Sequence, residues 1–435
     1  MDATTDVVVI GAGVIGSSVA FELAKRGRQV TVVDKAAGPG QGSTSASSAI
    51  VRFNYSTFDG VATAWEALHC WQRWREHLGA PDDEPLAGYQ RSGLVMLDVP
   101  IVPRERATTL FDAVGVPYAL WSPEELRRRV PGIDAGAHWP NKRVDDEAFW
   151  ADPERQLGAV FTPDAGFVDD PQLAALNLAA AAGRHGAAFL HRRAVAALTR
   201  RPNGLWDVLL SDGSTVTAPT VINVAGPWSA HINALAGVGA DWTVQVKPMR
   251  QEVHHLAAPP GFNTDVQPGP VIGDLDLGTY LRGAPGDGLL VGGTEPECDG
   301  FDWVDDPDGA NPHPTVPVFT SQVTRAARRF PELGVPGAPK GLAGVYDVSS
   351  DWTPIYDRTE LDGFYVAIGT SGNQFKNAPL VGRFMAAIVD ATVAGRDHDH
   401  DPVHHHAEHT GHLINLGSFS RRRPRNTESS GTVMG

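Results

Sequence analysis

"DVVVIGAGVIGSSVAFELAKRGRQVTVVD", residues 6–34, decides the fold. Its apolar run Val7–Ile10 predicts a short buried strand and Gly11–Gly16 a glycine turn. Ser17–Lys25 read as a helix that stops at Gly27, and Val30–Val33 as a second strand that ends in Asp34. Strand, helix and strand in that order give two parallel strands with a right-handed crossover. The turn itself, "GAGVIG", satisfies GxGxxG between a strand and a helix. Gly11 permits the tight turn, Gly13 admits backbone close to a pyrophosphate, and Gly16 lets the helix pack closely. Val14 and Ile15 lie in the turn ahead of the helix, whose N-terminus offers free N–H groups and a dipole that favour phosphate. Asp34 stands where a ribose hydroxyl is read. The pattern identifies a dinucleotide site without separating NAD from FAD.

Outward from this unit, "PQLAALNLAAAAGRHG" from Pro171 reads as a helix with proline tolerated at its start, followed by a strand at Ala187–Leu190. "WDVLLSDGSTVTA" reads as a hairpin turning at Asp212-Gly213. Val221–Ala225 predict another buried strand, running through Gly226 into a helix, and Phe364–Ile368 one more, with a helix after Pro379. The expectation is an α/β protein: a Rossmann-like nucleotide-binding domain made of residues 1–88, 170–245 and 340–415, and an inserted antiparallel-sheet substrate domain made of 89–169 and 246–339. Residues 416–435 are expected as a tail, its "RRRPRN" solvated. The histidine-rich "DHDHDPVHHHAEHTGH", 397–412, has no ordered ligand spacing, so it reads as a solvated loop and no metal is assigned.

Bulk properties exclude several classes. A formal net charge of −15 opposes an extended nucleic-acid surface, which needs Lys and Arg against phosphates. The two cysteines, Cys70 and Cys298, form no metal or redox spacing, which suits a reducing, cytoplasmic setting. The start "MDATTDVVVIGAG" lacks the positive n-region of a signal peptide, and no apolar stretch approaches the roughly 18 residues of a membrane span.

Four stretches carry a resemblance: GAGVIG with Asp34, "GSTSASSAIVRFNY" from Gly42, "VINVAGPWS" from Val221, and "YDVSSDWTPI…GFYVAIGTSGNQFKNAP" from Tyr346. In this order and spacing the chain resembles the D-amino-acid-oxidase-like (DAO) family of FAD proteins, in its sarcosine oxidase and dimethylglycine dehydrogenase branch. The resemblance implies an FAD whose pyrophosphate lies over Gly11–Gly16 with Ser43 and Thr44, and whose adenosine lies near Asp34 and Lys35. It also implies that the backbone near Val195 meets the adenine, that Ala225 and Gly226 pass close to the cofactor, and that Gly372, Asn373 and Lys376 reach the flavin ring. Positions matching Arg52 and Lys376 hold a substrate carboxylate in that branch. An arginine fork gives directional hydrogen bonds and a lysine a compact charge, so the pairing suits an anionic substrate.

Tyr55 and Tyr280 are further pocket candidates, with core packing as the commoner role of such rings. Arg250 and Arg282 are candidates for charges behind the pocket. A bland reading makes Arg52 a structural ion pair and Lys376 a solvated side chain. Some relatives attach flavin through a cysteine ahead of the stretch matching "YDVSSDWTPI" or a histidine after the second strand. Here those regions read "GLAGVYDV" and "GSTSASSAI", so non-covalent FAD is expected. Oxidases of the branch carry a lysine in the inserted domain, yet residues 248–339 contain none. Oxidase and dehydrogenase stay open, with oxygen or another acceptor as electron partner. The expected function is oxidation of the C–N bond of an amino acid or N-alkyl amino acid. The alternatives are a flavin-binding electron-transfer subunit of a larger complex and an NAD-dependent dehydrogenase.

Overall fold

The computed structural model describes residues 3–264, 267–284 and 286–434. Residues 1, 2 and 435, the ends of the first expected segment and of the tail, lie outside the described residues. A six-stranded sheet runs in the order Ala188–Leu190, Val30–Val33, Val7–Ile10, Thr220–Asn223, Phe364–Ile368, Ile355–Arg358. Its first five strands are parallel, with Val7 beside Val30 and Thr220 beside Val7, and only the last is antiparallel. The VVVI, VTVV and FYVAI strands are buried along their whole length, as continuous apolar runs covered on both faces must be.

The helix after the first strand begins at Val14 rather than Ser17, because the end of the glycine turn is already wound into it. It packs against the helices Pro171–Arg184 and Ala378–Val393. The carboxyl ends of the parallel strands lead into Gly11, Gly226 and Gly369, and this edge of an open parallel sheet is where ligands bind.

A second sheet of eight strands takes Leu94–Leu97, Ala119–Trp121 and Ala159–Thr162 from one stretch of chain and four strands between Val246 and Gly293 from another. Its pairs are antiparallel except Val271–Asp274 beside Leu94–Leu97, which is parallel. One edge strand, Gly341–Ser349, comes from beyond residue 339, from a segment expected with the nucleotide-binding unit. That strand carries Tyr346 and Asp347 to the cavities described below. The helix Val316–Arg329 covers the sheet, and Arg329, fully buried, pairs with Asp274 at 2.7 Å and Asp276 at 2.8 Å.

Two expectations are corrected here. The histidine-rich segment is not a solvated loop: His404–His406 pair with Leu413–Asn415, and His398 is buried, accepting the Val403 N–H on Nδ1 at 2.9 Å. His409 bonds Glu66 at 2.8 Å and stacks on His69. Among the described residues no group of three or more His, Cys, Asp or Glu side chains is placed to hold a metal. Nor is "RRRPRN" solvated throughout. Arg421 is buried against Asp357 and Asp399, and Arg423 against Asp351, at 2.8–2.9 Å. The reason is charge: Asp351, Asp357 and Asp399 are themselves buried or nearly so, and buried carboxylates need a partner. Among the described residues no helix is long and apolar enough to cross a membrane.

Candidate functional site

A cavity of about 700 Å³ opens at the carboxyl edge of the parallel strands. This lies within the roughly 300–1,000 Å³ of small-molecule and cofactor sites. Its floor is the glycine turn. Gly11 has φ +112°, and a Cβ on Gly16 would stand 1.9 Å from the Gly11 carbonyl oxygen, so neither position admits a side chain. The helix from Val14 has no side-chain cap at Gly13; Thr44 Oγ1 accepts the Val14 N–H at 3.1 Å, and the end remains an anion-favouring wall. Asp34 accepts the N–H of Ala12 at 2.6 Å and of Ala36 at 2.7 Å, which ties the second strand to the turn.

Around this floor the cavity is lined by Gly11, Gly13, Val14, Ile15, Gly16, Asp34, Lys35, Ser43 and Thr44, and further along by Val195, Ala225, Gly226 and Gly372. Ser43 donates to the Val345 carbonyl at 2.5 Å, so its loop is fastened to the eight-stranded sheet. Lys35 lies 3.8 Å over the Trp228 ring and pairs with Asp308. Two polar atoms of lining residues are buried without a hydrogen-bond partner, Trp228 Nε1 and Asp347 Oδ2. A phosphate-accepting turn, an apolar lining, an orphaned donor and an orphaned acceptor together fit a dinucleotide.

Tyr346, Gly372 and Phe375 also line a second, smaller cavity of about 50 Å³, which holds Arg52, Asn373, Lys376 and Tyr280. Gly372 has φ +68°, and a Cβ there would meet the Tyr346 ring at 2.4 Å, so only glycine lets that ring pack into the wall the two cavities share. Lys376 is not solvated: it is 3% exposed, in the short turn Phe375–Asn377 ahead of the helix Ala378–Val393. Its Nζ donates to the Asn373 carbonyl at 2.6 Å and lies 5.2 Å over the Tyr55 ring. Burial, and then the neighbouring Arg52 charge, hold its ammonium well below the ordinary lysine value.

Arg52 is 4% exposed and forms no structural ion pair among the described residues. It donates instead to three carbonyl oxygens, those of Asn54, Val433 (2.5 Å) and Met434 (3.0 Å). The Tyr55 hydroxyl donates to Asn373 O at 2.6 Å and accepts from Asn377, so this ring supports both cations, and burial pushes its hydroxyl up to about 12. Tyr280, hydrogen-bonded to Ser48 at 2.7 Å, is likewise pushed up to about 12 by burial. Arg250 is a structural cation, paired with Glu252 at 2.7 Å. Arg282 stacks 3.9 Å from the Phe167 ring with Nε and Nη1 unpartnered.

Sequence reasoning missed the tail in this pocket and a carboxyl behind it. The tail enters it, with Val433 and Met434 in its wall. Glu295 accepts the Val433 N–H at 2.7 Å, and burial pushes its carboxyl up to about 8. No motif surrounds "GGTEPE", and an apolar "TVMG" gives no sign of a distant arginine.

The chain is 26% identical over 393 residues to glycine oxidase of Geobacillus kaustophilus (strain HTA426), covering 88% of this chain and 93% of that protein. It is 23% identical over 290 residues to mitochondrial dimethylglycine dehydrogenase of Mus musculus, covering 66% of this chain and 30% of that one. In three dimensions it resembles L-proline dehydrogenase from P. horikoshii with a TM-score of 0.71 at 23% identity, covering 91% of this chain and 95% of the other. The family model "FAD dependent oxidoreductase" matches residues 6–388. With glycine turn, cavity lining and fold in agreement, the chain belongs to the DAO family of FAD-dependent oxidoreductases.

Proposed function

We propose that this oxidoreductase breaks the α C–H bond beside the nitrogen of an amino acid or N-alkyl amino acid, primary or secondary, and releases an imine that water hydrolyses. The observation that carries the reading is the pair Arg52 and Lys376. Two buried cations share one pocket, and each donates only to carbonyl oxygens among the described residues. Like charges brought together out of water are unfavourable unless an anion joins them. A substrate carboxylate meets that need, and the two donors fix its orientation.

Gly11, Gly13, Val14, Ile15, Gly16, Ser43 and Thr44 would hold the pyrophosphate of FAD, Asp34, Lys35 and Val195 its adenosine side, and Ala225, Gly226, Gly372, Asn373 and Lys376 the remainder. Bound FAD supplies the two-electron acceptor. Tyr55 keeps Lys376 and the Asn373 loop in place, and Tyr280 with Ser48 closes the opposite wall. FAD is held without a covalent bond in this reading, since neither cysteine lines the cavity and the loop after the second strand carries no histidine. Membership of an FAD family removes the NAD alternative. The electrons pass on to oxygen or another acceptor, and a cytoplasmic setting suits the two free cysteines.

Anaerobic mixing of the FAD-loaded protein with secondary amines and D- and L-amino acids tests the reading. Bleaching of the flavin by a carboxylate-bearing amine is the expected result. If no amine bleaches it, the electron-transfer subunit reading takes its place. If Arg52→Ala and Lys376→Ala leave substrate affinity unchanged, the carboxylate clamp is wrong.

A further inference from the structure

One residue of the tail is held in the substrate pocket at both its nitrogen and its carbonyl. Val433 donates its N–H to Glu295 Oε2 at 2.7 Å, and its carbonyl oxygen accepts from Arg52 Nη2 at 2.5 Å. Both partners are buried, Arg52 4% and Glu295 8% exposed. Nitrogen, Cα and carbonyl carbon follow one another in an α-amino acid as they do in Val433. The two side chains therefore bracket the N–Cα–C(=O) unit itself.

Two further observations point the same way. Glu295 has φ +50°, a conformation that costs a non-glycine residue about 1–3 kcal/mol and persists only where its surroundings impose it. Its Oε1 is buried without a hydrogen-bond partner. An amide offers Glu295 a single N–H, whereas a protonated primary or secondary amine offers at least two, enough for both oxygens.

Resting on the amine-oxidoreductase reading above, we infer that Glu295 reads the substrate nitrogen, that Arg52 reads the carboxyl on the adjacent carbon, and that the substrates are α-amino acids, free or N-alkylated, whose place Val433 holds until it withdraws. A carboxylate outcompetes a neutral carbonyl at Arg52, and an ammonium outcompetes an amide N–H at Glu295, because charged partners make the stronger hydrogen bonds. The tail is built for such an exchange. Its shank is fixed by the ion pairs of Arg421 and Arg423, while Val433 is held by neutral contacts only, its backbone bonds and its side chain in the apolar cluster. A carboxyl that burial raises to about 8, with Arg52, Tyr280 and Tyr346 as its ionisable neighbours, is also matched to proton exchange near neutrality. With Glu295 ionised, one N–H bond of the ammonium breaks and one O–H bond forms on its carboxylate, leaving the amine neutral.

The test uses the FAD-loaded full chain and follows binding through the visible flavin spectrum. The probes are L- and D-valine, whose side chain the pocket already accommodates in Val433, and isovalerate, the same skeleton without nitrogen. Glu295→Gln is expected to weaken the bound valine isomer roughly 10- to 100-fold while isovalerate is unaffected. Val433→Pro, which removes the N–H, and deletion of 430–435 are expected to tighten both ligands, about tenfold if the tail is seated nine-tenths of the time. Glu295→Asp, which keeps a carboxyl, is expected to restore part of the discrimination, and it serves as the folding control. Equal loss of valine and isovalerate in Glu295→Gln, or no loss of either, overturns the assignment, as does a deletion that changes neither affinity. If neither ligand binds any form while other amines still bleach the flavin, the α-amino acid assignment falls and the broader function stands. If no amine bleaches it, both fall.

Discussion

Arg329 and Arg52 are both buried arginines, yet their surroundings are opposite in kind. Arg329, under the eight-stranded sheet, meets two carboxylates, Asp274 and Asp276, and donates to the Asp134 and Gly136 carbonyls besides. Arg52 forms no ion pair among the described residues: it has three carbonyl oxygens, a lysine, and only the more distant carboxyl of Glu295, which burial keeps protonated to about 8. A buried cation that brings its own anions is part of the scaffold. One that forms no ion pair is a candidate site, because a ligand can supply the counter-charge.

The contrast can be broken by substitution. Arg329→Met leaves two buried aspartates unpaired and is expected to cost about 3–5 kcal/mol of stability, read as a lowered denaturant midpoint. A midpoint unchanged from the parent chain would dissolve the distinction. Arg52→Met is expected to leave the midpoint close to the parent value or raise it. The same change is expected to cut kcat/KM for a carboxylate substrate roughly 10- to 100-fold, the worth of a hydrogen bond to a charged group.

Lys376 sharpens the comparison through pH. Burial and Arg52 hold its ammonium below the usual lysine range, so it is charged below its lowered value and neutral above it. KM for a carboxylate substrate is therefore expected to rise with pH through that lowered value, roughly tenfold per unit at most, while Lys376→Met shows no such limb. A parent chain with the same pH profile as the variant would remove Lys376 from carboxylate binding. The smallest effect concerns Glu295. Its folded carboxyl sits at about 8, above the ordinary 4.5, so the native state keeps a proton that the unfolded chain gives up. Stability owed to that proton is complete below 4.5 and is lost as pH climbs through 8. Glu295→Gln avoids the loss, and its melting temperature is expected to gain on the parent by roughly 1–3 °C between pH 5 and 8, with no further gain above.

Legibility in the sequence followed the range of the interactions. Strand, turn and helix over residues 6–34 are local matters of apolar runs and glycine placement, and the structure repeats them apart from an earlier helix start. Phe364–Ile368 was readable for the same reason. Arg421 was not, because its partners Asp357 and Asp399 become neighbours only through the fold. The histidine-rich stretch was misread alike: hydrophilic composition predicts solvent, but Glu66, from a distant helix, draws His409 in. In the candidate pocket, Arg52 and Lys376 were singled out with help from a resemblance. Glu295 had no motif, since its role depends on a tail residue 138 positions away.

The pair of Lys35 and Asp308 joins the first nucleotide-binding unit to the inserted sheet region across 273 positions. Its side chains are 36% and 62% exposed, and an exposed ion pair of this sort is worth about 0–1 kcal/mol. So weak a bond at a cavity wall spends an appreciable fraction of its time broken. Should the pair part, the cavity wall would open at Lys35 with both sheets still folded, because both residues line the cavity and neither sheet depends on their contact.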